Sequence, residues 1–349
     1  MTESTNTRLQ FLERQGAHFD EAGRVTAFGA ALPQGGLQRG FVAPLTDTGL
    51  IAATGEDALT FLHNQLTNDV EHLGDQEARL AGYCSPKGRL LATFLMWKDD
   101  GAVMLQLPRQ IQPAVQKRLQ MFILRSKVKL ADATNDHALL GLGGEAATET
   151  LRKWFPQLPA SPFARVASGS GVLIRLPDAF GQPRFQWAAP PAVAESAWPE
   201  LAKTLSPAAT ALWRLTDIHA GIPLVTQATQ EQFVPQMINF ELIGGVNFKK
   251  GCYPGQEIVA RSQYLGKLKR RMLLASVDAE SVAAGTEVFW SLDPEQPCGM
   301  VVNAERNLEG GTDCLVELKV AATEDGSIHL GAASGVPLRF GQLPYALPA

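Results

Sequence analysis

Cysteine and histidine are scarce in this chain: four and six, respectively, in 349 residues. Cys84, Cys252, Cys298 and Cys314 show no paired spacing, which excludes a disulfide framework and a cysteine-rich zinc site. The histidines are scattered without an HxH or HxxxH pair, so no metal site is expected. There is no GxGxxG or GxxxxGK[ST] loop for a nucleotide phosphate, and no GxSxG nucleophile elbow. A surplus of one charge is also missing. The formal net charge of −4 gives no global attraction to nucleic acid or anionic lipid, so any basic function must be local. The longest strongly apolar run, Leu90 to Trp97, falls far short of the ~20 residues of a membrane helix. The opening MTESTNTRLQ has no apolar stretch of signal-peptide length. These absences read as a soluble cytoplasmic protein with reduced thiols and no membrane partner.

What is present is an ordinary globular composition, 45% hydrophobic and 19% charged, in a chain long enough for two or three cores. Residues 1–37 are polar, end in ALPQGG and read as a loose, partly flexible leader. TGEDALTFLHNQL offers Thr54 as a helix N-cap, with Leu59, Leu62 and Leu66 on one stripe. Strand-like runs broken at Ser85-Pro86-Lys87-Gly88 and Asp99-Asp100-Gly101 follow. The segment QPAVQKRLQMFILR reads as a helix burying Val115, Leu119, Phe122 and Ile123. Residues 38–135 thus form a first α+β unit. Residues 136–265 repeat the style as a second, with helices around Glu149 to Phe155 and in AESAWPELAKTL, and the chain can interleave with the first. ATALWRLTDIHAGIP is a clearer helix ended by Gly221-Ile222-Pro223. Over 266–349 helical periodicity gives way to short strands, as in a small antiparallel barrel.

The stretch KKGCYPGQEIVAR, residues 249–261, lies at the seam before that last unit, and seams between domains favour ligand clefts. From Lys249 to Arg271 seven basic residues face one acid, Glu257; Lys267, Lys269, Arg270 and Arg271 close the run. A helix starting after Tyr253-Pro254-Gly255 would add its N-terminus to the lysines, and both favour the thiolate of Cys252. The other reading, a small packed residue at a tight turn, is equally open. Glu257 and Arg261 sit four apart and either pair on a helix face or hold a heterocycle. Gln236 and Asn239 suit an edge of mixed donors and acceptors such as a pterin, or simply build a turn. Arg214 is a ligand clamp or a partner of Asp217. The basic run is short for a nucleic-acid surface, so direct nucleic-acid binding is not expected.

KKGCYPGQEIVAR resembles the signature K-G-C-Y-x-G-Q-E of YgfZ-type folate-binding proteins, relatives of the glycine-cleavage T-protein (aminomethyltransferase). The resemblance runs through LHNQLTNDV, CSPKGRLLATF, WRLTDIHAGIP, EQFVPQMINFE and GGVNFKKGC, covering about residues 40 to 349. It implies a three-domain α+β cloverleaf with two α+β domains, ferredoxin-like and related, and a C-terminal antiparallel β-barrel around a central tetrahydrofolate site. It further implies support of iron–sulfur enzymes, including tRNA-modifying ones, with iron–sulfur proteins or assembly factors as partners. On this resemblance Cys252 is the functional thiol. Lys250, Gly251, Tyr253, Gly255, Gln256 and Glu257 shape its loop, Arg261 supports it, and Arg214, Gln236 and Asn239 line the pocket for tetrahydrofolate or a derivative. Two departures stand out. The aminomethyltransferases carry an aspartate where GRLLATF has no acid, which argues against glycine-cleavage chemistry. And His219 stands where the relatives often place a glutamate. The competing expectation is a tetrahydrofolate-dependent one-carbon transferase recruiting Asp69 or Glu257, and a third is an interaction module that has lost its ligand.

Overall fold

Three sheets organise the chain, antiparallel except where Ser206–Pro207 pairs parallel with Phe41–Pro44. The structure, a computed structural model, describes residues 3–29, 36–264 and 268–348. The first sheet has five strands in the order Ala78–Cys84, Leu90–Asp99, Ala102–Pro108, Thr48–Thr54 and Lys129–Asp132. Helices Ala58–His63 and Gln112–Gln120 supply the other half of its core, in which Phe61, Leu62, Val115 and Leu119 pack with Phe94 and Met96. The second sheet orders Arg165–Ser168, Gly171–Ala179, Gln182–Ala189, Ala138–Gly143, Phe41–Pro44 and Ser206–Pro207. Phe41–Pro44 pairs with Ala138–Gly143, so the chain crosses into the second sheet before building the first. Helix Pro191–Thr204 covers this sheet through Trp198 and Leu201.

The third sheet is the C-terminal one: Ile328–Leu330, Glu287–Trp290, Asp293–Arg306, Thr312–Lys319, Arg270–Val277 and Leu338–Phe340. A bridge from His329 to Pro337 brings its two ends together, so it is nearly closed, as expected of a barrel. Its inward residues, Ala275, Val288, Val301 and Val316, are small and branched, which suits a tight barrel interior.

Several elements depart from the sequence expectations. Within the segment expected as a leader, the described residues form helix Glu3–Arg14 and the hairpin Ala17–Phe19 with Val25–Phe28, whose Val25 and Phe28 are buried. Of ALPQGG, all but the final glycine lies outside the described residues, as does Lys267. Thr54 is no N-cap. It pairs with Lys129 as the end of a strand, and Asp57 precedes the helix instead. The expected helix around Glu149 spans Glu145–Leu151. Helix Gln112–Gln120 stops short, leaving Phe122 exposed rather than on its buried stripe, while Ile123 packs on the core. Helix Pro191–Thr204 runs through Pro199.

Candidate functional site

Two separate places gather the chemistry: a cavity between the first and third sheets, and the loop that carries Cys252.

The cavity has a volume of about 380 Å³ and is lined by residues of the first and third sheets, of helix Thr210–His219, of the loops beside them and of the N-terminal hairpin, among them Arg24, Asp47, Arg109, Arg214, Asn303 and Glu305. That is within the ~300–1,000 Å³ of small-molecule sites. A narrower apolar recess of about 40 Å³ shares Arg214 and Asp217 with it and is walled by Leu80, Phe94, Leu95 and Trp213. Helix Thr210–His219 buries Leu212, Trp213, Leu215 and Ile218, which turns Arg214 and Asp217 toward the cavity. Arg214 donates to both carboxylate oxygens of Asp47, at 2.6 and 3.0 Å, and to Asp217 at 3.1 Å. Asp217 also accepts from the buried Arg184 at 2.8 Å, whose guanidinium lies 4.7 Å from the Trp213 ring. At the other side Arg24 of the hairpin bonds Glu305 of the third sheet. Burial alone would raise the Asp47 pKa, but the charge and hydrogen bonds of Arg214, with Arg24, hold it below the usual carboxylate range. Burial keeps Glu305 raised despite Arg24 and Arg214. The recess also holds an amide pair: Gln106 and Gln186 donate to each other at 2.9 and 2.6 Å. Sequence reading missed Asp47, Gln106 and Gln186. No motif marks them, because they sit on or beside strands and meet Arg214 only through the fold.

The cysteine loop is built by stitching two distant segments. The Thr67 hydroxyl donates to the Gly245 carbonyl at 2.6 Å, and the Asn68 amide donates to the Gly244 carbonyl at 2.7 Å. The Asn247 N–H donates to the Thr67 carbonyl at 2.9 Å. LHNQLTND and GGVNFKKGC are thereby locked together, and Lys250 reaches the C-terminal end of helix Ala58–His63. Its ammonium donates to the carbonyls of His63 and of Leu66 (2.7 Å) and lies 5.0 Å from the Tyr253 ring. Burial pulls the Lys250 pKa down to about 8, against the opposing charges of Asp69, Glu71 and Cys252. Tyr253 is buried and its pKa is raised, chiefly by burial. Gly255, at φ +78°, lies against the Ser85–Gly88 turn so closely that a Cβ would fall 2.5 Å from the Ser85 oxygen. After that turn, helix Gln256–Tyr264 begins. Cys252 is exposed, whereas Cys84, Cys298 and Cys314 are buried. Burial pushes the Cys84 and Cys314 thiols up to about 12.

The structure therefore brings Lys250, Gly251, Cys252, Tyr253, Gly255, Gln256, Glu257 and Arg261 together on one loop and helix, and sets Arg214 apart in the cavity. Glu257 and Arg261 pair at 3.5 Å on the exposed face of the helix. Gln236 and Asn239 line neither cavity nor recess; both are fully buried. The Gln236 amide donates to the Val259 carbonyl at 2.8 Å, and Asn239, in the left-handed region at φ +56°, donates to the Met272 carbonyl at 2.7 Å. They join the signature helix to the first barrel strand. Arg270 and Arg271 are taken up by Glu317 and Glu241, which leaves little of the basic run free. The strand of GRLLATF presents Thr93, Phe94 and Leu95 to the recess, and the Thr93 hydroxyl accepts from the Val225 N–H at 3.1 Å. Among the described residues no cluster of His, Cys, Asp and Glu could hold a metal ion, and no helix is long and apolar enough to cross a membrane.

No family model matches the sequence. The chain is 30% identical over 300 residues to the tRNA-modifying protein YgfZ of Edwardsiella ictaluri (strain 93-146), covering 85% of this chain and 89% of the relative. It is 33% identical over 250 residues to the protein of the same name from Photorhabdus laumondii subsp. laumondii, covering 71% and 74%. The chain belongs to the YgfZ family. Among solved structures it is similar to the glycine cleavage system aminomethyltransferase T of Bartonella henselae, with a TM-score of 0.79 and 96% of each chain covered. At 17% identity that likeness establishes the fold, the three-lobed α+β architecture with its barrel-like C-terminal sheet.

Proposed function

We propose that this protein is a cytoplasmic, tetrahydrofolate-binding accessory factor that supports the assembly or repair of iron–sulfur enzymes, including those that modify tRNA, through Cys252. The observation that carries the reading is the separation of two sites in a YgfZ-family chain. A ligand-sized cavity sits between the first and third sheets, and one exposed thiol among four sits on a different loop. A reduced folate fits the residues present. The apolar recess and its Gln106–Gln186 amides suit a flat heterocycle with mixed donors and acceptors, and Arg24 and Arg109 suit a carboxylate tail. Bound folate would supply a one-carbon carrier; the protein's part is to orient it and exclude water.

Accessory function is favoured over one-carbon transfer by the state of the carboxylates. Of the four carboxylates lining the cavity, Asp47, Asp217 and Glu305 are held by arginines and Asp20 is tied to the Ala22 and Arg24 N–H groups of its own turn, and the strand of GRLLATF offers only a threonine whose hydroxyl is already engaged. Asp69 and Glu257 belong to the cysteine loop and its helix, not to the cavity lining. A general base for the transfer step needs a free carboxylate within hydrogen-bond reach of the reacting nitrogen.

The test is complementation. Cells lacking this protein are supplied with the wild type or Cys252→Ala, and the products of an iron–sulfur tRNA-modifying enzyme are quantified by mass spectrometry of total tRNA. The reading expects the wild type to restore the modification and Cys252→Ala not to. Equal restoration would remove Cys252 from the function.

A further inference from the structure

Three large apolar side chains stand in solvent at one turn. Met121 is 61% exposed, Phe122 45% and Leu124 87%, the last being the most exposed large apolar side chain among the described residues. They follow helix Gln112–Gln120 and flank Ile123, which packs inward on the core of the first sheet. The turn is ordered: the N–H groups of Phe122, Ile123 and Leu124 donate to the carbonyls of Leu119, Gln120 and Phe122 at 3.0, 3.1 and 3.1 Å. Single exposed apolar residues are ordinary on a protein surface, but three within four positions form a patch. Cations rim it. From Ile111 to Ala131 the chain carries Lys117, Arg118, Arg125, Lys127 and Lys129 and no acid. Among the described residues only Lys127 of these five forms an ion pair, with Glu56 at 2.7 Å.

We propose that this turn is where the iron–sulfur client protein docks, through a client surface that combines an apolar hollow with carboxylates around it. This role rests on the reading of Cys252 as the thiol that serves such clients. Position favours it. The turn and the thiol loop lie at the two ends of one short helix, Ala58–His63. At its start the Lys127 N–H donates to the Asp57 carboxylate at 2.7 Å, and Thr54 pairs with Lys129. At its end the His63 carbonyl accepts from Lys250, two residues before Cys252. A helix of six residues spans ~9 Å. An ordinary interface covers about 800 Å² on each partner, a disc about 30 Å across, so one bound protein reaches both places. Chemistry favours a protein over other polyanions. Met121 and Leu124 have no group to pair with a phosphate or a base edge, but they fill an apolar pocket as interface anchors do. The rim also carries both signs beside Lys127, where Glu56 is mostly exposed. A bilayer of anionic lipid or an RNA backbone would meet that carboxylate with like charge. A folded protein can set its own carboxylates against Lys117, Arg125 and Lys129 and leave Glu56 to solvent.

The test is equilibrium binding of a purified iron–sulfur tRNA-modifying enzyme, its cluster in place, to the immobilised full-length protein. Three variants are compared with the wild type: Phe122→Ser combined with Leu124→Ser, Lys117→Glu combined with Arg125→Glu, and Leu292→Ser. Leu292 is 63% exposed in the hairpin between Glu287–Trp290 and Asp293–Arg306 of the C-terminal sheet, and serves as the control. Every replaced side chain is exposed, and a thermal melt shows that each variant is folded. The apolar pair of substitutions is expected to weaken binding at least about ten-fold. The charge reversal is expected to weaken it by a similar factor and to flatten its dependence on salt. Leu292→Ser is expected to bind as the wild type does. Undiminished binding by folded Phe122→Ser/Leu124→Ser overturns the proposal. So does an equal loss in Leu292→Ser, and so does a wild type that fails to bind the enzyme. Wild type retained on phosphatidylglycerol vesicles or on purified tRNA, and released by the apolar substitutions, would assign the turn to lipid or RNA and overturn it as well. Failure of the underlying reading is seen separately, in complementation: Cys252→Ala then restores tRNA modification, whatever the binding data.

Discussion

At the residue scale the account turns on Arg214, because it ties the first strand of one sheet to the helix that supports another. Its two-oxygen contact with Asp47 spans 167 positions of sequence and is largely shielded from water. Removing one member of such a pair leaves the other charge with its desolvation cost and no compensation. Arg214→Met should therefore lose about 3 kcal/mol or more in urea unfolding, within the ~3–5 kcal/mol seen when a buried pair is broken. Adding Asp47→Asn should recover part of that loss, a coupling that a double-mutant cycle reads directly. Additive losses would mean that the two side chains act independently. The sequence showed Arg214 as ambiguous between a ligand clamp and a partner of Asp217. It could not show Asp47, since nothing in local spacing identifies a partner brought in by the fold. The same holds for His63: its place near the end of a helix, beside the cysteine loop, follows from the Thr67 and Asn68 stitches and not from any motif.

At the scale of elements, the cysteine loop depends on two glycines meeting back to back. A Cβ at Gly255 would fall 2.5 Å from the Ser85 oxygen and 2.6 Å from Gly88, and one at Gly88 would fall 2.9 Å from Ile258. Gly244 has nearly the same φ, +81°, but nothing within 4 Å of its hypothetical Cβ. The pair separates backbone strain from steric contact. Gly244→Ala should cost about 1–2 kcal/mol for the left-handed conformation alone, and Gly255→Ala clearly more, because backbone atoms have to move. Thermal melts of the two variants check this, and equal costs would contradict the close packing of turn on turn. The short strands of the C-terminal sheet were legible in sequence because alternation and turn residues mark them. The N-terminal helix and hairpin were not. Their residues are mostly polar, and among the described side chains only Leu12, Ala17, Val25 and Phe28 are buried on the second sheet's core, too sparse a pattern to stand out. Helix Gln112–Gln120 was legible but its end was not: Met121, Phe122 and Leu124 continue an apolar pattern that the fold leaves exposed.

At the scale of the whole molecule, the charge pairs within and between the sheets set the pH response. Asp47, Asp132 and Asp313 have folded pKa values below their ordinary ones, Asp132 at about 2, each because hydrogen bonds and cationic neighbours outweigh burial. Their contribution is present above the unfolded value near 3.9 and is lost as pH falls through the folded values. Glu241, Glu305 and Glu317 are raised by burial in spite of their arginine partners. Their contribution has the opposite sign: it is present at low pH and lost as pH rises through the raised values. Melting temperature should therefore peak on the acid side of neutrality and fall steeply below about pH 4. A melting temperature that climbs steadily from pH 4 to 8 would contradict this balance. The three-sheet architecture was legible as a whole through the resemblance carried by KKGCYPGQEIVAR and its flanks. The position of the cavity was not. Gln236 and Asn239, which looked like pocket residues, became the joint between signature helix and barrel, and the amides that do face the recess come from two separate strands.

The central claim is that folate binding and the thiol occupy different places. Calorimetric titration of tetrahydrofolate into the wild type, Cys252→Ala and Ala284→Trp tests it most directly, since Ala284 lines the cavity from a partly exposed loop where an indole would block it. The account predicts equal binding by the wild type and Cys252→Ala, and loss of binding in Ala284→Trp. Absence of binding to all three, or undiminished binding to folded Ala284→Trp, would contradict it.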